Sequence, residues 1–206
     1  GSALGNNCGP LLISKPGNQE PIHERLTIAI PGKYTTANFL LSLAFPRATN
    51  KVEMLFSDIE NAIMQDKVDA GVIIHENRFT YQDKGLIKIM DLGEYWESQT
   101  RLPIPLGGIA MKRNIPSEIA RKVNRLLRKS VEYACANPAS SGEFVKRYAQ
   151  EMDESVRNQH IQLYVNNYSV DLGNIGKKAV TTLFAWARRN KLIDDIHENI
   201  FLRSAE

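Results

Sequence analysis

Ala70-Gly71-Val72-Ile73-Ile74, followed at once by His75-Glu76-Asn77-Arg78-Phe79, decides how the rest of this 206-residue chain is read. Five consecutive small or apolar residues without polar alternation describe a strand buried on both faces, the kind that sits in the middle of a helix-covered sheet. Working outward, residues 52–56 and 86–90 flank it as further strands. Residues 11–15 and 26–30 precede them, and all are rich in Ile, Leu or Val. Two helical patterns lie between. Residues 36–44 place Phe39, Leu40, Leu43 and Ala44 on one face. Residues 57–65 open with Ser-Asp-Ile-Glu, in which Ser57 can cap the helix and Glu60 can reach back as a capping box. Strands alternating with helices predict an α/β fold with a largely parallel sheet.

The character changes after Pro116. Helical periodicity runs over residues 116–136, 141–150, 154–166 and 175–190. Pro116 suits a first helical turn, Asn137-Pro138 ends the first of these helices, and Asp153 and Asn174 read as N-caps. Ala179, Leu183, Trp186 and Ala187 form a stripe at helical spacing, which assigns Trp186 to packing. These helices need a sheet or partner to cover, and the strands of this chain look too few to supply it.

Composition sets further bounds. Twenty-six basic against 23 acidic residues leave a net charge of +3, which argues against a dedicated nucleic-acid surface. The densest basic stretch, residues 121–129, is interrupted by Val123, Leu126 and Leu127 and reads as a solvated helix face. Cys8 and Cys135 lie far apart and form no CxxC pair, so neither a disulfide framework nor a metal knuckle is indicated. No apolar run approaches the roughly 18 residues of a membrane span, and no signal peptide is visible. A cytoplasmic location is the resulting expectation.

Two segments can carry chemistry. Pro31-Gly32-Lys33-Tyr34-Thr35-Thr36-Ala37 joins a buried strand to a helix, where free backbone N–H groups and the helix dipole favour an anion and two threonine hydroxyls add donors. The plainer reading is that Thr35 or Thr36 only caps the helix. A nucleotide P-loop is excluded, because GxxxxGK[ST] would need Gly at 27 and Ser or Thr at 34, where Thr27 and Tyr34 stand. The second segment is His75, which leaves the central strand at the same rim. Ligands gather there, outside the carboxyl ends of strands, and an imidazole is suited to moving protons near neutrality. HExxH zinc chemistry is excluded, since Phe79 occupies the second histidine position. Glu76 or Arg78 can orient the ring or bind a carboxylate, and they can equally pair with each other. His23, His160 and His197 read as surface residues. Residues 95–108, with their prolines and glycines, read as a rigid crossover between lobes or a plain connecting loop.

Taken together these segments resemble one family, the 1,4-dihydroxy-6-naphthoate synthases of the futalosine route to menaquinone. The resemblance runs over nearly the whole chain. It includes Gly1-Ser2-Ala3-Leu4-Gly5 with Gly9-Pro10-Leu11, the turn at Pro31 to Ala37, and the His75 segment through Thr80-Tyr81. It continues in Asp91-Leu92-Gly93 with Trp96-Glu97, in Leu102-Pro103-Ile104-Pro105-Leu106-Gly107, and in Tyr164-Val165-Asn166 with Ser169. It implies a periplasmic-binding-protein-like (type II) two-lobed α/β fold and a carbon–carbon lyase acting on cyclic dehypoxanthinylfutalosine. His75 is then the acid/base, and Thr35, Thr36, Ala37 and Arg78 bind a small carboxylated substrate. The resemblance implies no metal and no organic cofactor, no nucleic acid and no membrane. Family members carry an upstream segment of the first lobe, and this chain starts after it. Residues 1–8 are therefore expected as a remnant of the first lobe or crossover and 9–108 as the complete second lobe. Residues 109–206 are expected as the crossover back and helices that pack on a partial first lobe. An incomplete site and self-association through exposed apolar surface follow as expectations. Two other readings share the fold: a solute-binding protein of a transporter, which needs no catalytic histidine, and chorismate dehydratase. For the latter Gly-Asp is expected where His75-Glu76 stands.

Overall fold

The computed structural model describes residues 1–17, 22–149, 153–194 and 199–202. The chain forms β1 (Ser2–Gly5), β2 (Leu11–Ser14), β3 (Ile28–Ile30), α1 (Thr36–Ala44), β4 (Lys51–Glu53), α2 (Ile59–Met64), β5 (Ala70–Ile73) and α3 (Asn77–Thr80). It continues with β6 (Ile87–Asp91), α4 (Leu92–Thr100), β7 (Ile104–Gly108), α5 (Ser117–Ala136), α6 (Gly142–Tyr148), α7 (Glu154–Tyr164), α8 (Asn167–Val170) and α9 (Gly173–Arg189).

The stretch that leads the sequence reading is the middle strand of a five-stranded sheet, in the order β4-β3-β5-β2-β6. All four residues of β5 are buried. Side chains alternate between two cores, as the pleat requires. Leu12, Ile28, Ile30, Ala70 and Val72 face α1 and α4, where Leu40, Leu41 and Trp96 meet them. Leu11, Ile13, Ala29 and Ile73 face α2 through Ile59, Ala62 and Ile63. Gly71 lets α2 approach closely, since a Cβ there would lie 2.4 Å from Ile59 Cγ2.

The sheet is less parallel than the alternation of strands and helices predicts. β3 pairs in parallel with β4 and with β5. β2 lies antiparallel between β5 and β6. The physical reason is in the connection. A parallel neighbour needs a crossover, usually helical, and no helix separates β2 from β3 among the described residues.

Three local expectations change. The strand expected over 52–56 ends at Glu53, because Phe56 enters a 3-10 turn, Phe56–Asp58, that leads into α2. That turn replaces the Ser57–Glu60 capping box, and no side chain caps α2. Glu60 is fully buried instead; its Oε2 accepts from Asn77 Nδ2 and, at 2.6 Å, from Lys84 Nζ. Asn174 lies inside α9, whose first turn begins at Gly173, with Asp171 Oδ1 accepting from the Gly173 N–H. By contrast α1 has the expected bounds, Asp153 caps α7 through Ser155 and Val156, and Asn137 ends α5.

Outside the sheet, β1 and β7 form an antiparallel two-stranded ribbon that brackets the α/β unit in sequence. Of residues 95–108, read as a crossover or connecting loop, 95–100 belong to α4 and 104–108 form a strand of this ribbon. α9 lays its stripe inward: Ala179 and Ala187 are buried, and Trp186 meets Trp96 edge-to-face at 5.3 Å. α5 is different, for only Ala120 is buried along its length. Its basic residues are solvated, and Ile119, Val123, Leu126 and Leu127 are exposed with them. No helix among the described residues is long and apolar enough to cross a membrane.

Candidate active site

Because β3 and β5 are parallel neighbours, the turns that follow them leave the same edge of the sheet. β5 ends at Ile73, and His75 adopts a left-handed backbone with φ of 57°. That conformation is unfavourable for a side-chain-bearing residue, and it reverses the chain into α3. His75 is exposed. Its ring sits edge-on to Phe56 at 5.1 Å and tilted against His160 at 5.9 Å.

His160 corrects the sequence reading of a surface residue. It is half-buried on α7, its ring packs at 4.6 Å on Tyr164 one turn later, and its Nε2 is buried without a hydrogen-bond partner. Ligand atoms of His75, Glu76 and His160 all lie within 4.8 Å of one another. Burial, and then the neighbouring His75, hold the His160 imidazole below the ordinary histidine range, while Glu76 opposes the shift. Burial pushes the Tyr164 phenol up to about 12. The available signal for His160 was its i,i+4 spacing to Tyr164 on a helix whose Leu163 and Tyr164 pack on the core.

The turn after β3 is internally braced. Thr35 Oγ1 donates to Gly32 O at 2.7 Å and accepts from the Asn38 N–H at 3.2 Å, so Thr35 caps α1. The Lys33 N–H donates to Glu53 Oε2 at 2.8 Å, and Asn38 Nδ2 donates to Lys33 O at 2.7 Å. Lys51 Nζ donates to Asn38 Oδ1 and Ser42 Oγ, and burial holds its ammonium below the usual lysine range. Ala37 is buried. A cavity of about 290 Å³ opens over this turn between α1 and α9. It takes in Thr35, Thr36, Leu183 and Phe184 but not His75.

Arg78 does not pair with Glu76. Its Nη1 donates to Gly9 O at 2.5 Å, and its Nη2 donates to Asn7 O at 2.8 Å and to Asp91 Oδ2 at 2.6 Å. Asp91 is buried, and its Oδ1 accepts from the Gly93 and Glu94 N–H groups at the start of α4. Arg78 thereby ties residues 7–9, β6 and α4 together beside the histidine rim. Within that knot burial pushes the Cys8 thiol up to about 11. Both cysteines are free, Cys135 on the surface. His23 lies in a polar loop, its Nδ1 accepting from the Arg25 N–H at 3.1 Å. His197 lies outside the described residues.

Comparison with known proteins bears on the family and the fold. A sequence family described as menaquinone biosynthesis matches residues 1–189. A 1,4-dihydroxy-6-naphthoate synthase of Thermus thermophilus is 41% identical over 192 residues, covering 93% of this chain and 70% of that protein. A solved protein of Archaeoglobus fulgidus superposes with a TM-score of 0.84 at 34% identity, over 94% of this chain and 72% of that one. The ligand-binding component of an ABC-type import system from Staphylococcus aureus superposes with a TM-score of 0.63 at 10% identity, over 93% and 68%. That last likeness shows the fold alone, and the fold is periplasmic-binding-protein-like.

Proposed function

The chain belongs to the menaquinone-biosynthesis family, and from that membership we propose that it is the carbon–carbon lyase that releases 1,4-dihydroxy-6-naphthoate from cyclic dehypoxanthinylfutalosine. Dihydroxyacetone is the other product. The observation that carries the reading is His75, exposed on a left-handed turn at the carboxyl end of the central strand.

Cleavage driven by proton transfer needs a group that takes and returns a proton, and donors for the negative charge that develops. His75 is the acid/base. The turn before α1 supplies donors: the Thr36 hydroxyl makes no hydrogen bond among the described residues, and the first N–H groups of α1 lie beside it. Thr35 holds that turn in shape by capping, and Ala37 closes it against the core. Arg78, engaged on three acceptors, serves the substrate by fixing the wall that residues 7–9 and Asp91 form. The chain covers 70% of the Thermus enzyme.

The test is naphthoate release from cyclic dehypoxanthinylfutalosine by this chain, by a version extended to the relatives' length, and by the His75→Asn variant of that extended version. We expect turnover in the extended protein and a loss of about a hundredfold or more with His75→Asn, with ligand binding retained. A folded extended protein that binds carboxylated ligands without releasing naphthoate would overturn the lyase in favour of a solute-binding protein.

A further inference from the structure

The geometry points to His160 as a second histidine of this site, one that meets His75 and Glu76 on one shared oxygen atom. The inference rests on the lyase reading for the identity of that oxygen, a substrate hydroxyl or the water that precedes it, but not for its existence.

The argument begins with what holds His160. α7 packs against β1, and Leu163 and Tyr164 on the same helix join the core beneath α1 and β5. The ring therefore comes from an element anchored independently of the turn that carries His75. The left-handed backbone at His75 turns its ring toward α7, with Phe56 behind it. Three polar groups from two separate elements thus converge at the same rim.

Their spacing says what fits between them. Two hydrogen bonds of about 2.8 Å meeting on one oxygen near the tetrahedral angle span roughly 4.5 Å. The facing atoms of His75, Glu76 and His160 lie within 4.8 Å of one another, and none is hydrogen-bonded to another among the described residues. A buried imidazole nitrogen without a partner is costly, and one oxygen at this point satisfies it. A neutral imidazole has one donor and one acceptor nitrogen. His160 can donate from Nε2 to a lone pair of the oxygen, which leaves the single hydroxyl proton for His75 to exchange, and Glu76 can accept only when the oxygen is a water with a second proton. The charged and titratable groups facing His160 are His75 and Glu76 across the gap and Tyr164 on its own helix. The depressed titration of His160 suits a partner that stays neutral while His75 works.

Two measurements decide it. In the first, the ring protons of the four histidines are titrated by NMR in the full chain and in its His75→Asn and His160→Gln variants. His160 should titrate below the ordinary histidine range and move upward in His75→Asn. A midpoint that stays in place would show the rings uncoupled and overturn the pairing. Rings that titrate only after a chelator is added would make the cluster a metal centre and overturn the shared oxygen. In the second, His160→Gln and His160→Phe are compared for turnover in the extended protein. Gln can still bond the oxygen, so kcat should fall by less than about tenfold, whereas Phe should lose about a hundredfold at nearly unchanged KM. Equal losses in both would mark a merely structural role. Should the parent protein show no turnover, the lyase reading fails while the NMR titration still decides the histidine pair.

Discussion

β5 and α5 are both patterned for burial, and they end in opposite situations. Ala70, Val72 and Ile73 are fully buried between two helical layers. Along α5 Ile119, Val123, Leu126 and Leu127 recur at helical spacing, yet Leu126 keeps 56% of its surface exposed. The difference teaches that an apolar pattern specifies a face but not its occupant. β5 finds α1, α2 and two neighbouring strands within the chain, whereas among the described residues the main neighbours of α5 are α8 and the turn that follows α5 itself.

The strongest way to sharpen that contrast is to cut the knot beside β5. Arg78→Ala leaves Asp91, whose side chain is fully buried, without its cation. Removing one partner of such a pair should cost about 3–5 kcal/mol, read as a lower denaturant midpoint. Next in size, Ile73→Ala should cost about 3 kcal/mol through transfer and cavity terms, while Leu126→Ala should change stability by less than about 0.5 kcal/mol. Equal effects on the urea midpoint would mean that α5 is packed in solution and would break the comparison. A smaller effect concerns association. The exposed α5 face should make the chain self-associate at high concentration, and Leu126→Lys should shift sedimentation toward the monomer. A parent chain that sediments as a monomer throughout would remove the basis for that expectation.

The same contrast explains what was legible in the sequence. Residues 70–74 and 36–44 could be read because their partners are supplied by neighbouring segments, so local pattern and final environment agree. The direction of β2 was readable in principle, since the sequence between residues 15 and 27 carries no helical pattern, but alternation elsewhere masked the signal. Ser57 and Glu60 matched a capping box in spacing. The match failed because Glu60 is drawn into a buried network with Asn77 and Lys84, a tertiary contact that outweighs a local cap. The capping role of Thr35, one of its two readings, was legible from its place before α1. The position of His75 at the rim was legible from its place after a central strand. His160 was not, because 84 intervening residues separate the two histidines in the chain, and only the path of α7 over the ribbon brings them together.

His160 marks the place where the helical half of the molecule meets the sheet edge that carries His75, and it leaves the subtlest trace. Burial favours its neutral form in the folded chain, so its folded pKa lies below the unfolded value near 6.5. In the interval between the two the unfolded chain binds more protons than the folded one, and stability must rise with pH. The contribution is fully present above the ordinary histidine pKa and is lost as pH falls through the folded one. Denaturant midpoints taken from neutral to mildly acidic pH should therefore decline in the parent chain. The decline should be shallower in His160→Gln, which keeps much of the side chain's size without titrating. It should also be shallower in His75→Asn, which removes the neighbouring charge that adds to the depression. Parallel declines in all three proteins would place the acid sensitivity elsewhere, and the meeting of α7 with the rim would then be packing alone.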